Sequence, residues 1–224
     1  MTPNEKNEII KITKEYSEKI MNLCMIEEPI DEDNKLKIRD QRIILEIGHG
    51  DHPDGYECGA VDPISRMKEH DLNKIVAESA DNHLSHLGFK DITVTDSGDY
   101  LGNIGRAHSN CDVFISIHHN AFSDPRAQGS ETLIHKDYWN PDDEKLAELL
   151  SEKMSSLLRI KNRGIKTMSL SVLKGAIQGA EKPGKAVCLI EPYFITGKDV
   201  NNHHIEWSRK AGEAVAIAVD EFLS

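Results

Sequence analysis

Two histidines and a glutamate stand at the ends of apolar stretches that have the pattern of buried strands. His49 follows IILEI and lies between two glycines, His118 follows VFISI, and Glu191 follows AVCLI. A strand core needs no imidazole, and glycine weakens a strand because it adds backbone entropy and packs nothing. Two histidines and a carboxylate form the ligand set of many catalytic zinc sites, in which the fourth position stays open for water. These residue types therefore point to metal-assisted hydrolysis.

A second carboxylate, Glu69, lies at the predicted start of a helix that follows a long loop. The helix macrodipole favours a negative charge there by a few tenths to about 1 kcal/mol, which is the simpler explanation of Glu69 alone. A lone histidine is likewise more often a hydrogen-bonded structural residue than a metal ligand. Glu191 is harder to explain structurally, because a carboxylate so close to the core needs a partner. The combination indicates one carboxylate that binds the metal and another that serves as a base for water.

Alternating apolar strands and helices must position these residues. Strands are predicted at 43–47, 90–95, 113–117, 131–135, near 170–173 and at 186–190, and helices at 69–87, about 102–109, 141–159 and about 204–223. Apolar strands separated by helices indicate an α/β fold, a twisted and mostly parallel (mixed) sheet of about six strands with helices on both faces. Ligands bind such sheets beyond the carboxyl ends of the strands, where the two histidines and Glu191 are expected.

The first 41 residues are predicted to be separate from the main domain. Thr2, Pro3 and Glu5 give a capping-box start with proline at the first helical position, and apolar residues at helical spacing continue to residue 24. An acidic stretch follows, so residues 1–41 are predicted as an N-terminal amphipathic helix and acidic linker, and residues 42–224 as the catalytic domain. The apolar stripe of the helix must be covered by the domain or by another copy of the chain, which makes self-association an expectation.

The composition indicates which partners are disfavoured and in which compartment the protein is expected to be made. The formal net charge of −11 disfavours nucleic acid as a partner and tight adhesion to anionic surfaces. No apolar run is long enough to span a bilayer, and the first residues lack the basic start and the apolar core of a signal peptide. Synthesis in the cytoplasm without a signal peptide is therefore expected. The four cysteines form no C-x-x-C pair and are expected to be free thiols.

Six short motifs follow one another along the chain from residue 43 onwards. They are E-I-G-H-G-D at 46–51, M-K-E-H-D-L-N at 67–73, Arg106 ahead of F-I-S-I-H-H-N-A at 114–121, G-S-E-T at 129–132, R-G-I-K at 163–166 and L-I-E-P-Y-F-I-T at 189–196. The set resembles the zinc-dependent N-acetylmuramoyl-L-alanine amidases found among phage endolysins, bacterial autolysins and sporulation amidases. The chain departs from the family pattern at Glu46, Ile47, Asp51 and the pair Pro192-Tyr193, and none of these departures removes an expected metal ligand.

The resemblance implies one zinc ion, Zn²⁺, bound by His49, Glu69 and His118, with Glu191 as the catalytic carboxylate. His119 is the less favoured ligand, because the family's ligand is the first histidine after the strand. Alternation along a strand supports this choice, since only one of two adjacent histidines can readily point at the site.

The resemblance further implies peptidoglycan as the substrate, and the amide between N-acetylmuramic acid and L-alanine of the stem peptide as the bond that is cut. Arg106 and Asn120 are the candidates for substrate contact. A phage or prophage endolysin that acts on the cell wall after release is the expected role. One alternative is a zinc carboxypeptidase or another amidohydrolase, which would read a free substrate carboxylate with a fixed arginine. The other is a non-catalytic wall-binding module that keeps the fold.

Overall fold

The computed structural model describes residues 38–179, 184–200 and 202–224. The strands are β1 (Arg39–Gly50), β2 (Phe89–Ser97), β3 (Val113–Ile117), β4 (Ser130–His135), β5 (Asn162–Met168) and β6 (Ala186–Glu191). The helices are α1 (Glu69–His86), α2 (Leu101–Ala107), α3 (Pro141–Leu158), α4 (Ser171–Ile177) and α5 (His204–Phe222). The predicted N-terminal helix lies outside the described residues, and the domain boundary at residue 42 stays a prediction.

The six strands form one sheet in the order β2-β1-β3-β6-β4-β5. Every neighbouring pair is parallel except β4 and β6, which run antiparallel. The predicted mixed, mostly parallel α/β sheet is therefore confirmed. Because β4 reverses direction, its first residues lie at the same edge of the sheet as the carboxyl ends of β1, β3 and β6.

Helices cover both faces of the sheet, as predicted. Alternate strand residues, such as Ile43 and Ile115, pack against α1, α3 and α5 in the larger apolar core. The residues between them, such as Ile44 and Phe114, pack against α4 in the smaller core. Successive strand side chains point to opposite faces, so a strand buried on both sides reads as a continuous apolar run. This is why β1, β3 and β6 are visible in the sequence.

The predicted strand near 170–173 is wrong, because this segment opens α4. Its apolar residues Val172 and Leu173 are buried as part of a helix that packs under the sheet. The fifth strand is instead Asn162–Met168, which lies at the edge of the sheet and is mostly exposed or half-buried. An edge strand pairs on one side only and need not be apolar, so its composition hides it.

Among the described helices, none combines the length and the apolar character that crossing a membrane requires.

Candidate active site

His49 lies at a bulge near the carboxyl end of β1. The pairing of β1 with β2 slips between Ile47 and Gly50, and His49 has a left-handed backbone with φ of 66°. Gly50 also has a positive φ, of 100°, which glycine adopts at little cost. Bulges beside active sites re-aim a side chain, and here the bulge turns the imidazole out of the strand's regular alternation. Gly50 therefore allows the turn at His49, while the missing Cβ of Gly48 leaves room for the ring of His118.

Glu69 is the first residue of α1 and is buried. Its Oε2 accepts a hydrogen bond from the Ala60 amide at 2.9 Å, and its Oε1 accepts one from the His119 amide at 3.0 Å. The loop before the helix is fitted closely to this carboxylate, since a Cβ added at Gly59 would lie 2.6 Å from Glu69 Oε2. The carboxylate is thus held by the backbone of two different loops.

His49, Glu69 and His118 come together in one cluster. Glu69 Oε1 lies 3.1 Å from His49 Nε2 and 3.1 Å from His118 Nδ1. The two imidazole rings meet edge to face, with centroids 4.8 Å apart. One ligand atom from each of the three residues lies within 4.8 Å of the others. The structure therefore brings together the three residues that were predicted as metal ligands.

The cluster fits a zinc ion in donor type and spacing. Imidazole nitrogen and carboxylate oxygen bind zinc at about 2.0–2.2 Å, so tetrahedral ligands stand roughly 3.3 Å apart. The two contacts of Glu69 Oε1, at 3.1 Å each, match that spacing, and the ligand nitrogens of the two histidines lie within 4.8 Å of each other. A cavity of about 160 Å³ opens beside the two histidines and gives access to them.

The charge state of the cluster also suits a cation. Burial raises the pKa of Glu69, but hydrogen bonds from His118 and His49 and their charge outweigh it and hold that pKa well below its usual range. Burial lowers the pKa of His49, and its hydrogen bond to Glu69 and the charge of Glu69 outweigh that effect and raise it. The carboxylate is therefore ionised at any physiological pH and carries the negative charge that a metal ligand needs.

His119 is held away from the cluster. Its ring is buried, and its Nδ1 lies 2.7 Å from Oδ1 of Asn73, whose amide donates to the Gly48 carbonyl at 3.0 Å. Burial lowers the pKa of His119 to about 3, although the charge of Glu69 opposes this. The structure thus gives His119 a neutral, structural position beside the ligands.

Glu191, at the end of β6, lies next to a carboxylate that the sequence reasoning missed. Glu191 Oε2 and Glu131 Oε1 both accept hydrogen bonds from Asn120 Nδ2, at 2.6 and 2.7 Å. Arg163 Nε donates to the other oxygen of Glu131. Burial raises the pKa of Glu191, and its hydrogen bond with Glu131 and the charges of Glu131 and Glu69 add to the rise against the charge of Arg163. The G-S-E-T motif at the start of β4 was the available signal for Glu131.

The two residues predicted to contact substrate lie in different surroundings. Asn120 stands between Glu131 and Glu191 at the edge of a groove of about 590 Å³. Arg106 is exposed on α2, whose first residue, Leu101, lines the cavity beside the histidines. Substrate contact by either residue stays a prediction.

Replacing Gly48 by alanine is expected to destabilise the protein, because the ring of His118 lies against it. A Cβ at Gly48 would stand 2.3 Å from His118 Nε2, so the ring or the strand must move. Forced overpacking of this kind costs about 1–3 kcal/mol. Chemical unfolding measures the loss. Gly98→Ala is the matched control, since no described atom lies within 4 Å of its added Cβ. Equal stability of the two variants would contradict the packing argument.

Comparison with known proteins shows similarity to cell wall amidases. The profile of a family described as N-acetylmuramoyl-L-alanine amidase matches residues 43–221. N-acetylmuramoyl-L-alanine amidase LytC of Bacillus subtilis strain 168 is 27% identical over 169 residues, which are 73% of this chain and 32% of that protein. The probable cell wall amidase LytH of Staphylococcus saprophyticus is 26% identical over 145 residues, which are 63% of this chain and 46% of that protein. The chain thus spans from about a third to just under half the length of these curated relatives.

A solved amidase structure superposes on this protein over nearly the whole length of the solved chain. The crystal structure of N-acetylmuramoyl-L-alanine amidase from Clostridium difficile 630 superposes with a TM-score of 0.66 at 27% identity. The match covers 82% of this chain and 97% of that one. The fold described above therefore corresponds to nearly the whole of that solved chain.

Proposed function

The chain belongs to the N-acetylmuramoyl-L-alanine amidase family, and on that premise we propose that it is a zinc-dependent peptidoglycan hydrolase. The bond cut is the amide between N-acetylmuramic acid and L-alanine of the stem peptide. The observation that carries the proposal is the cluster of His49, Glu69 and His118, within 4.8 Å of one another, at the sheet edge where Glu191 also ends its strand.

The roles follow from the chemistry of the side chains. His49, Glu69 and His118 would hold one zinc ion, which polarises a carbonyl and acidifies an attacking water when it is bound. Glu191 accepts the proton of that water and returns it to the leaving nitrogen as the amide breaks. Asn120 donates a hydrogen bond to Glu191 and so orients its carboxyl group. The groove lined by Asn120, Glu131 and Glu191 continues past Phe122 and Met168 and offers room for a peptide.

Mass spectrometry of muropeptides after digestion of purified peptidoglycan tests the activity. We expect whole stem peptides that begin with L-alanine, and we expect none after treatment with a chelator. Release of single terminal residues would instead indicate a carboxypeptidase. Binding to the wall with no release of fragments would indicate a non-catalytic module.

Zinc is expected to stabilise the folded protein, because the ligands come from two strand ends and a helix start that only folding brings together. An ion that binds only the folded state adds roughly 3–4 kcal/mol when its free concentration exceeds the dissociation constant a hundred- to a thousand-fold. Calorimetry with chelated and zinc-loaded protein measures this. In His118→Ala the zinc-dependent rise in melting temperature should vanish. If a chelator changes neither the activity nor the melting temperature, the cluster is not a metal site.

We also propose that the biological role is that of a phage or prophage endolysin acting on the wall after release. The support is the set of six motifs, which resembles amidases that include those of phage endolysins. Expression in a bacterium with a susceptible wall, with and without a protein that permeabilises the cytoplasmic membrane, tests it. Lysis that depends on the permeabilising protein supports the role, and wall cleavage without it favours an exported autolysin.

A further inference from the structure

Two glutamates face each other across the only antiparallel strand pair among the described strands. Glu131 on β4 is the direct partner of Glu191 on β6 in the register of the sheet. Both carboxyl groups accept a hydrogen bond from the same nitrogen, Asn120 Nδ2, so one oxygen of each lies close to the other. A proton on one of the two groups removes the repulsion between them. Like charges directly opposite each other on neighbouring strands destabilise a sheet, so an ionised pair would be unfavourable here.

The surroundings hold this pair in place from several elements. The side-chain amide of Asn120, in the loop that follows β3, donates one hydrogen bond to each carboxyl group, at 2.7 and 2.6 Å. The Asn120 backbone is itself fixed, since its amide donates to the Tyr193 carbonyl at 3.1 Å. The orientation of both carboxyl groups is therefore set by one residue that the sheet edge holds.

The charged groups that face Glu191 lie on three other elements. Glu131 on β4 and Glu69 on α1 are negative, while Arg163 on β5 is positive and pairs with Glu131. Arg163 also packs over the Phe194 ring, with 4.9 Å between its guanidinium carbon and the ring centroid. Lys166 lines the same groove from β5. The balance of these charges decides how readily Glu191 gives up a proton.

We propose that Glu131 is a positioning residue for Glu191: the two carboxyl groups share one proton, and Arg163 limits how tightly that proton is held. This rests on the proposed amidase function, in which Glu191 must be ionised before it can accept a proton from water. When the shared proton leaves to solvent, Glu191 becomes a base. Glu131 and Arg163 therefore set the pH at which activity begins, and neither touches the reacting atoms.

The test is the pH dependence of kcat/KM on a soluble muropeptide for the full chain and two variants. The acid limb is the low-pH range in which kcat/KM rises as Glu191 loses its proton. Glu131→Gln removes the negative charge that faces Glu191, so the acid limb should move to lower pH, by about one unit or more. Arg163→Met keeps the contact with Phe194 but removes the positive charge, so the acid limb should move to higher pH. Asp124→Asn and Arg126→Met are the matched controls, because these two residues form an exposed ion pair elsewhere. The acid limb of each control variant should lie at the same pH as that of the wild type.

A carbon-13 NMR titration of the glutamate carboxyl groups in the metal-free protein gives a second measurement that needs no activity. The Glu191 carboxyl should titrate at lower pH in Glu131→Gln than in the wild type. Unchanged acid limbs, or shifts of both variants in one direction, would overturn the proposal while the amidase function stands. Should the wild type cut no peptidoglycan, the proposed function fails, and the NMR titration alone decides whether the proton is shared. If Glu131→Gln does not fold, the direction of the Arg163→Met shift decides.

Discussion

Glu69→Ala is expected to lose bound zinc and activity together. Glu69 is the carboxylate that both imidazoles of the cluster contact, and two histidines and water make a poor zinc site. Loss of an outer-shell partner of a metal ligand already costs about 10–100-fold in affinity, so loss of a ligand should cost more than about 100-fold. Metal content per chain and turnover of peptidoglycan, measured on the same preparation, check this result.

Comparison with Glu69→Gln separates metal binding from structure. Alanine leaves the amides of Ala60 and His119 without their acceptor, and an unsatisfied buried donor costs about 1–3 kcal/mol. Glutamine keeps an oxygen for one of them but has no charge for a metal. Both variants should therefore lose zinc, and Glu69→Ala should be the less stable in its metal-free form. A Glu69→Ala protein that still carries one zinc ion per chain would contradict the assignment of Glu69 as a ligand.

The strand ends at His49, His118 and Glu191 could be predicted because β1, β3 and β6 are buried on both faces. Such strands read as unbroken apolar runs, and the first polar residue after each run marks the edge of the sheet. Parallel direction then brings those residues to the same edge. Glu69 stood out as a carboxylate at a helix start after a long loop, but its assignment as a metal ligand came from the resemblance of its motif to the amidase family.

Glu131 could not be placed in the site from periodicity, because that requires knowing that β4 runs against its neighbour. In a fully parallel sheet, the first residue of a strand lies at the edge opposite to the ligand-binding one. The reversal of β4 alone puts Glu131 opposite Glu191. The left-handed backbone of His49 was hidden for a related reason, since two glycines indicate only that some unusual conformation is allowed there. The direction of a strand and the sign of a residue's φ depend on tertiary packing, and residue types alone do not reveal them.

Glu191→Gln is expected to keep zinc and to lose most of the activity. Glu191 contacts Asn120 and Glu131 and is not one of the three clustered ligands, so metal content should match the wild type. Glutamine preserves the shape of the side chain and can keep a hydrogen bond with Asn120, but it cannot accept a proton from water. The rate should fall by roughly 10²–10⁴-fold, which is the usual contribution of a positioned general base.

Glu131→Gln is the matched control for this loss, because it removes the other carboxylate of the same hydrogen-bonded pair. If Glu191 alone accepts the proton, Glu131→Gln should keep substantial turnover and shift its pH dependence, whereas Glu191→Gln should be slow at every pH. Both substitutions remove the repulsion between the facing acids, but Glu131→Gln also breaks the ion pair with Arg163. A larger loss of rate in Glu191→Gln therefore cannot be attributed to the removal of that repulsion. Equal losses in the two variants would mean that the pair acts as a unit, and wild-type turnover by Glu191→Gln would exclude Glu191 as the base.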